Sequence, residues 1–511
     1  MGSRAVLGVD IGTSACKGIL VDGEGRVVAR SRRGYRLVTP APGRVELDAE
    51  DVWAAASTVI AALALRARRR GLRVGALACS VSGDEAVMLD ADGRPVGPVI
   101  MALDTRSADT ARRWGATGGA ERVYRITGLP VHPAHPLIRL MWLREHEADR
   151  FARIVRVLCW EEYVALRLGL PPVSDPSVAA RTMAWDVGAG RWSDELLALA
   201  GVPGDWFPEV RPSGQAVGEI PASAARALAL PAGVVFVTGG LDQAVATLGA
   251  GVTEPDQAMI GTGSWEALTA LTARPPRDGT PLRESGIALG PFVTPGLQAA
   301  LATQVGGGSL IAWLRDLLAP GMPIGRFLRL APDQVTDLLV LPHVEGSYSP
   351  WMDPASRTAI TGLSLETDRG RLVRAALEGT TLELRLNVER LGAAGIPVGE
   401  LRCTGGGARS GAWIQLKADV LARPMVIVDV TENGAFGAAC LAGQGVGLFP
   451  AADEAARRFV RPLRTVEPRA QMVARYDEAF ARYRLLYPAL RDLRAQTQAD
   501  AGPASSRTRR S

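Results

Sequence analysis

Asp10-Ile11-Gly12-Thr13-Ser14, Ile260-Gly261-Thr262-Gly263-Ser264 and Thr404-Gly405-Gly406-Gly407 each place glycines directly after a strand-like apolar run. Glycines let successive backbone N–H groups close on an anion, and Thr or Ser hydroxyls add donors without charge, which suits phosphate oxygens. Each turn alone is a weak signal, because glycine is also the ordinary turn residue. Lysine separates the competing nucleotide folds. The chain has only Lys17 and Lys417, preceded by Cys16 and Leu416, so neither a P-loop nor the strand lysine of protein kinases is present. No turn supplies the Gly-x-Gly-x-x-Gly of a dinucleotide site.

What survives is a nucleotide site made of two hairpin turns and one glycine strand–helix turn. Phosphoryl transfer needs alignment, charge neutralisation and a group that accepts the hydroxyl proton. Asp242 lies where a strand ends and a helix begins, so on position alone it serves equally as a base projecting into a cleft or as an N-cap. Asp10 is acidic where phosphates should lie, which requires a cation between them. Mg2+ is held by one or two carboxylates plus substrate phosphates and water, and Asp10 suits that role; the alternative is a turn-forming aspartate.

The elements that must position these groups follow from periodicity. Residues 5–9 read as a buried strand, 10–13 as a polar turn and 18–21 as the return strand, with Asp22-Gly23-Glu24-Gly25 leading into a third strand. The spacing of Trp53, Ile60, Leu63 and Ala64 predicts a helix over 48–70 with Asp48 as its cap. The arginines at its end complement the helix dipole. Strands are expected over 74–79 and 86–89, a helical pattern over 137–168, a helix over 193–200 capped by Ser193, and a strand over 233–238 entering the helix that carries Asp242. Residues 258–264, AMIGTGS, then repeat the shape of residues 9–14, VDIGTS. Gly306-Gly307-Gly308-Ser309 opens a helix, another spans 368–391, and a strand at 401–404 feeds Gly405-Gly406-Gly407.

In this order the motifs resemble those of the FGGY carbohydrate kinases, of the superfamily that also holds actin and the heat-shock ATPases, over about residues 4–448. GVDIGTSACKGILVD is similar to the first phosphate hairpin, ALDTRS (102–107) to the Trp-x-Asp-x-Arg element, and GGLDQAVATLGAG (239–251) to the segment with the catalytic aspartate. GTGSWEAL (261–268) resembles the second phosphate hairpin, LPHVEGSYSPWMDPASR (341–357) the Gly-x-x-x-Pro-x-x-Asp-Pro-x-x-Arg stretch, and TGGGARSGAWIQLKADVLARPM (404–425) the adenosine-binding segment.

The resemblance implies an α/β protein of two ribonuclease-H-like (actin-like ATPase) domains with a cleft between them. The halves would be residues 1–252, with the sugar site, first hairpin and base, and 253–448, with the ATP site. A helical extension over 449–490 and a disordered tail over 491–511 would follow. It implies ATP and Mg2+ as cofactors and a small ketose or polyol as phosphate acceptor, as in xylulokinases. Asp242 becomes the base and Asp10 the metal residue. Gly12, Thr13, Ser14 and Lys17 would contact phosphates from the first hairpin, and Gly261, Thr262 and Gly263 from the second. Gly307, Gly308, Gly405, Gly406, Gly407 and Ser410 would complete the ATP site. Asp84, Asp104, Asp242 and Gln243 would meet the sugar, with Arg106 holding its loop. The chain departs from many xylulokinases at residues 81–85, where Met-His is common, and at Ser347-Tyr348, where Glu-Arg is common. A catalytically silent sensor that keeps the fold is the competing reading, but it would be marked by loss of Asp10 or Asp242. Dimerisation is a family-level expectation.

Composition excludes other classes. At 511 residues, 47% apolar and 22% charged, the chain is globular and long enough for two or three domains. The net charge of +5 includes Arg507, Arg509 and Arg510, leaving little support for nucleic-acid binding. Five scattered cysteines form no Cys-x-x-Cys pair, and no apolar run reaches the ~20 residues that span a bilayer. A cytoplasmic location without membrane contact is expected.

Overall fold

The computed structural model describes residues 4–500. β1 (Arg4–Ile11) and β2 (Ala15–Asp22) form the opening hairpin and β3 (Val27–Gly34) extends it. α1 (Ala49–Arg69), capped by Asp48 accepting from the Glu50 N–H, crosses to β4 (Arg73–Val81), which lies parallel to β1. The stretch expected as one helical pattern over 137–168 is broken. α2 (Pro136–His146) and α3 (Trp160–Arg167) flank a short strand, β6 (Arg156–Leu158), that pairs with β5 (Val87–Leu89). This pairing is between segments distant in sequence, so local apolar spacing could not announce it. After α4 (Pro176–Arg181) come β7 (Ala216–Glu219), β8 (Val235–Leu241) and α5 (Asp242–Gly249). The first sheet has the order β7-β8-β4-β1-β2-β3.

The second sheet repeats this plan. β9 (Gln257–Thr262) and β10 (Glu266–Thr272) form a hairpin, followed by β11 (Ala288–Pro291), β12 (Gln298–Gln304), α6 (Gly308–Leu318) and α7 (Arg369–Ala393). Then come β13 (Glu400–Thr404), α8 (Gly411–Leu421), β14 (Met425–Val428), α9 (Asn433–Gly445), β15 (Pro462–Val466) and α10 (Ala470–Asp500). The order β11-β12-β10-β9-β13-β14-β15 contains β12-β10-β9-β13-β14, the counterpart of β3-β2-β1-β4-β8. In both, antiparallel strands lead to three parallel ones, the ribonuclease-H-like arrangement.

One helix crosses between the halves. α9 lies late in the chain, yet it packs on β1, β4 and β8 of the first sheet and against α5. Glycines make the approach possible: a Cβ on Gly8 would sit 1.8 Å from the Ala435 carbonyl oxygen, and one on Gly437 would sit 2.0 Å from that of Val245. The segment after 448 is not wholly helical, because β15 adds the edge strand of the second sheet. The expected disorder from residue 491 fails over 491–500, where α10 continues. Leu490 packs on the core, Tyr487 donates to Asp353 Oδ2 (2.9 Å) and Arg494 pairs with the same carboxylate. Residues 501–511 lie outside the described residues.

Candidate active site

β1, β4 and β8 end side by side, with Asp10 opposite Ser80 and Ser80 opposite Gly240. Strands in a sheet lie ~4.8 Å apart, so Asp10 and Asp242 cap strands about 10 Å from each other. Ser80 Oγ donates to Asp10 Oδ1 (2.9 Å), and the first turn of α9 closes from above: a Cβ on Gly434 would sit 2.8 Å from the same oxygen. Burial raises the Asp10 carboxyl above its ordinary value; Ser80 and Lys17 oppose this and Glu432 adds to it. Asp242 is the first residue of α5 and accepts from the Gln243 N–H (2.6 Å). Burial, and then the negative charge of Asp10, push it up to about 7.

The strand end that carries Asp242 is held by side chains. β8 has a register shift between Val237 and Gly240. There the Gly239 N–H donates to Glu161, and the Leu241 N–H donates to Ser177 Oγ (2.9 Å), which donates onward to Asp175 (2.6 Å). Sequence reasoning missed Glu161 and Ser177, whose only local signs are ordinary helix-start residues.

The glycine turns of the second half lie against one another, and several polar groups of all three turns are already engaged. Thr13 and Ser14 are exposed at the tip of the first hairpin, and Tyr35 donates to the Gly12 carbonyl. Lys17 stands opposite Asp10 on β2, 3.4 Å from the Glu432 carboxylate, beside a surface cavity of about 170 Å³ that Arg30 and Arg32 also line. In the second hairpin the Gly308 N–H donates to the Gly263 carbonyl (2.9 Å), tying the start of α6, with Gly307, to the turn. Gly405 has φ +84°, and its added Cβ would lie 2.5 Å from the Thr262 carbonyl oxygen; that of Gly407 would lie 2.2 Å from Thr262 Cγ2. Gly406, between them, has open space. Ser410 accepts from the Trp413 N–H as the cap of α8. Thr262 was expected to offer its hydroxyl to phosphate, but it is buried, donating to Glu266 Oε1 (2.8 Å) and accepting from Lys417. Only the main chain of Thr262 and Gly261 remains for that role.

The expected sugar residues divide. Asp84 accepts three hydrogen bonds from Arg181, and the His135 ring lies 3.4 Å from its Oδ1. Arg181, Leu241 and Gln243 line a small cavity between the halves, opposite Thr269 of β10. Asp104 does not face this space. Its side chain is fully buried and accepts from the Val45 N–H (2.7 Å) and from the main chain and guanidinium of Arg106, because an arginine two residues on closes the loop onto it. Arg106 holds the loop and also binds Glu46. Arg181, His132 and His135 were not anticipated; the run His132-Pro133-Ala134-His135-Pro136 holds two of the chain's four histidines and was the available signal. His132 contacts Tyr348 (ring centroids 5.2 Å apart), and Tyr348 contacts Trp265 (5.0 Å), so an aromatic row runs from the first half to the second hairpin.

Among the described residues no group of three or more His, Cys, Asp or Glu side chains could enclose a metal ion. Mg2+ does not need such a cage, since one carboxylate with substrate phosphates and water suffices. Asp10, half-buried with its carboxyl raised and the Glu432 charge close enough to add to that rise, is a donor that a divalent cation would suit.

Residues 5–249 match the N-terminal domain of the FGGY family of carbohydrate kinases, and residues 258–445 match its C-terminal domain. The chain belongs to this family. It is thus an ATP-dependent sugar kinase of two actin-like α/β domains. FGGY relatives include the L-xylulose/3-keto-L-gulonate kinase of Escherichia coli, 28% identical over 96% of this chain and 98% of the relative. A glycerol kinase of Methylibium petroleiphilum is 30% identical over 93% and 98%. The crystal structure of xylulose kinase from Rhodospirillum rubrum superposes with a TM-score of 0.87, at 29% identity, over 96% of this chain and 99% of that one. All five cysteines are buried and unpaired, and among the described residues no helix is long and apolar enough to cross a membrane.

Proposed function

We propose that this FGGY kinase moves the γ-phosphate of ATP to a hydroxyl, a primary one, of a small ketose or polyol, with Asp242 as the proton acceptor. The observation that carries this is Asp242 itself: a carboxyl at a strand–helix junction, raised to about 7 by burial and by Asp10 two strands away. An ordinary carboxylate is a weak base at pH 7, and the raised value brings it near the optimum for taking a hydroxyl proton as the oxygen attacks phosphorus. Gln243 and Asp84 hold acceptor hydroxyls, and the main chain of both hairpins and of Gly405 to Gly407 cradles the phosphates. Asp10 would hold Mg2+, and that ion, when bound, would neutralise phosphate charge. Closure of the two halves, along the row from His132 to Trp265, excludes water and limits ATP hydrolysis.

A coupled ADP-release assay over pentuloses, hexuloses, tetritols, pentitols and glycerol tests this reading, and acceptor-stimulated turnover with at least one of them is expected. Asp242→Asn is expected to lower kcat by about 10²–10⁴-fold, the usual share of general-base catalysis, while nucleotide binding is kept. Near-normal turnover of this variant would reject Asp242 as base.

A further inference from the structure

The acceptor end contains two arginines, and neither offers its charge to a ligand. Arg181 is locked on Asp84, with Nε to Oδ1 at 3.1 Å and Nη2 to Oδ1 and Oδ2 at 2.7 and 2.8 Å. Arg139 is fully buried under the same loop, its Nη1 and Nη2 donating to the main-chain carbonyls of Asp84, Ile100 and Met101. Arg181 feels the charge of Asp242 as well as that of Asp84, which ties the locked pair to the reacting end of the site.

The nearby histidines add no charge. Burial lowers His132 to about 3 and pushes His135 down too, so both rings are neutral at neutral pH. His135 is 2% exposed, and its Nδ1 lies 3.4 Å from Asp84 Oδ1, so the ring is set against that carboxylate. Its other ring nitrogen, Nε2, is buried with no hydrogen-bond partner among the described residues, and a hydroxyl group would satisfy it. Arg181 supplies three hydrogen bonds to Asp84, whereas an ionised carboxylate has about four lone-pair sites, so Asp84 keeps capacity for a hydroxyl donor. A carboxylate brought to this place would meet Asp84 and Asp242 with no spare cation, and like-charge juxtaposition in a partly buried site is strongly unfavourable.

We propose that Asp84 restricts this kinase to uncharged acceptors: by occupying Arg181 it removes the guanidinium that would hold an acceptor carboxylate, and with His135 it reads hydroxyl groups instead. This rests on the sugar-kinase reading above and adds the class of acceptor and the residues that set it. The two departures from the xylulokinase pattern, at 81–85 and at 347–348, thus belong to one wall. Asp84 contacts Arg181 and His135, His135 lies edge-on to His132, and His132 contacts Tyr348.

The test compares kcat/KM for neutral ketoses and polyols of three to six carbons with that for aldonates and keto-aldonates of matched length. Wild type is expected to favour the neutral class by at least about 100-fold, two decades or roughly 2.7 kcal/mol. Asp84→Asn keeps the side-chain shape but frees the Arg181 charge. It is expected to lower kcat/KM for neutral acceptors at least tenfold and to raise it for carboxylate acceptors at least tenfold, a gain abolished in Asp84→Asn/Arg181→Gln. A wild type that prefers the carboxylate class overturns the proposal even if Asp84→Asn fails to fold, and so does an Asp84→Asn enzyme whose two classes change in proportion. In either case the kinase reading stands, whereas no turnover with any acceptor overturns that reading as well.

Discussion

The hairpin of β1 and β2 and that of β9 and β10 share Ile-Gly-Thr after a buried strand, and each runs beside a parallel strand. Each also lies against the start of a helix, α9 at the first and α6 at the second. Their charges are disposed differently. The residue before the shared isoleucine is Asp10 in the first hairpin and Met259 in the second. Asp10 and Lys17 lie at the edge of the cleft, partly exposed, with Glu432 as the lysine's partner. In the second hairpin the charged pair is Glu266 with Lys417, both completely buried, and Thr262 joins them. One hairpin therefore keeps charged side chains at its surface, and the other seals them inside and leaves main chain there. A single backbone plan can present charged side chains or bare main chain by changing which way its side chains point.

The sharpest break of this contrast is Asp10→Met, which gives the first hairpin the residue type of the second. If Asp10 holds Mg2+ as proposed, its loss is worth several kcal/mol of transition-state stabilisation, so turnover should fall about 10³-fold, measured by ADP release with Tm little changed. Lys417→Met should leave Glu266 as an unpaired buried charge and cost about 3–5 kcal/mol of stability, seen as a lower midpoint in urea unfolding. Lys17→Met should cost under ~1 kcal/mol, since its pair with Glu432 is half exposed, and should act on the KM for ATP instead. Gly405→Ala demands a left-handed backbone and a 2.5 Å contact, whereas Gly406→Ala meets nothing within 4 Å. The first is expected to destabilise by more than about 1 kcal/mol and the second by a few tenths, compared by thermal unfolding.

The smallest effect is on pH. As the proposed base, Asp242 would have to be ionised to accept a proton, so turnover should decline as pH falls through about 7. Asp10 disfavours that ionisation, so in the residual activity of Asp10→Asn the acidic limb should move to lower pH. A limb that stays in place would mean that Asp10 and Asp242 do not sense each other.

The strand ends were legible because they carry local punctuation: an apolar run, then glycine, then a small polar residue. Asp10, Asp242 and the glycine turns of the second half all stand where that pattern put them. Asp104 was misread because an aspartate followed two positions later by an arginine looks the same whether the pair faces a ligand or each other. Thr262 was misread for a related reason: its hydroxyl is claimed by Lys417, which enters from α8, far along the chain. Arg181 and His135 reach Asp84 from different elements, and no spacing rule joins them to it. For Thr262 and Asp84 what the sequence withheld was a partner brought from elsewhere, whereas for Asp104 it was the direction its near neighbour faces.

The placement of α9 has a bearing on how the protein is made. The first sheet is synthesised within the first 241 residues, but the helix that covers β1, β4 and β8 emerges only at residues 433–445. Until then the face around Gly8 is apolar and uncovered on the ribosome, through the whole translation of the second sheet. Contacts so distant in sequence are slow to form, and exposed apolar surface during that interval invites aggregation. The first half on its own would leave that face without its covering helix. Cutting the chain at the junction between the halves should yield two insoluble pieces that recover structure only when refolded together.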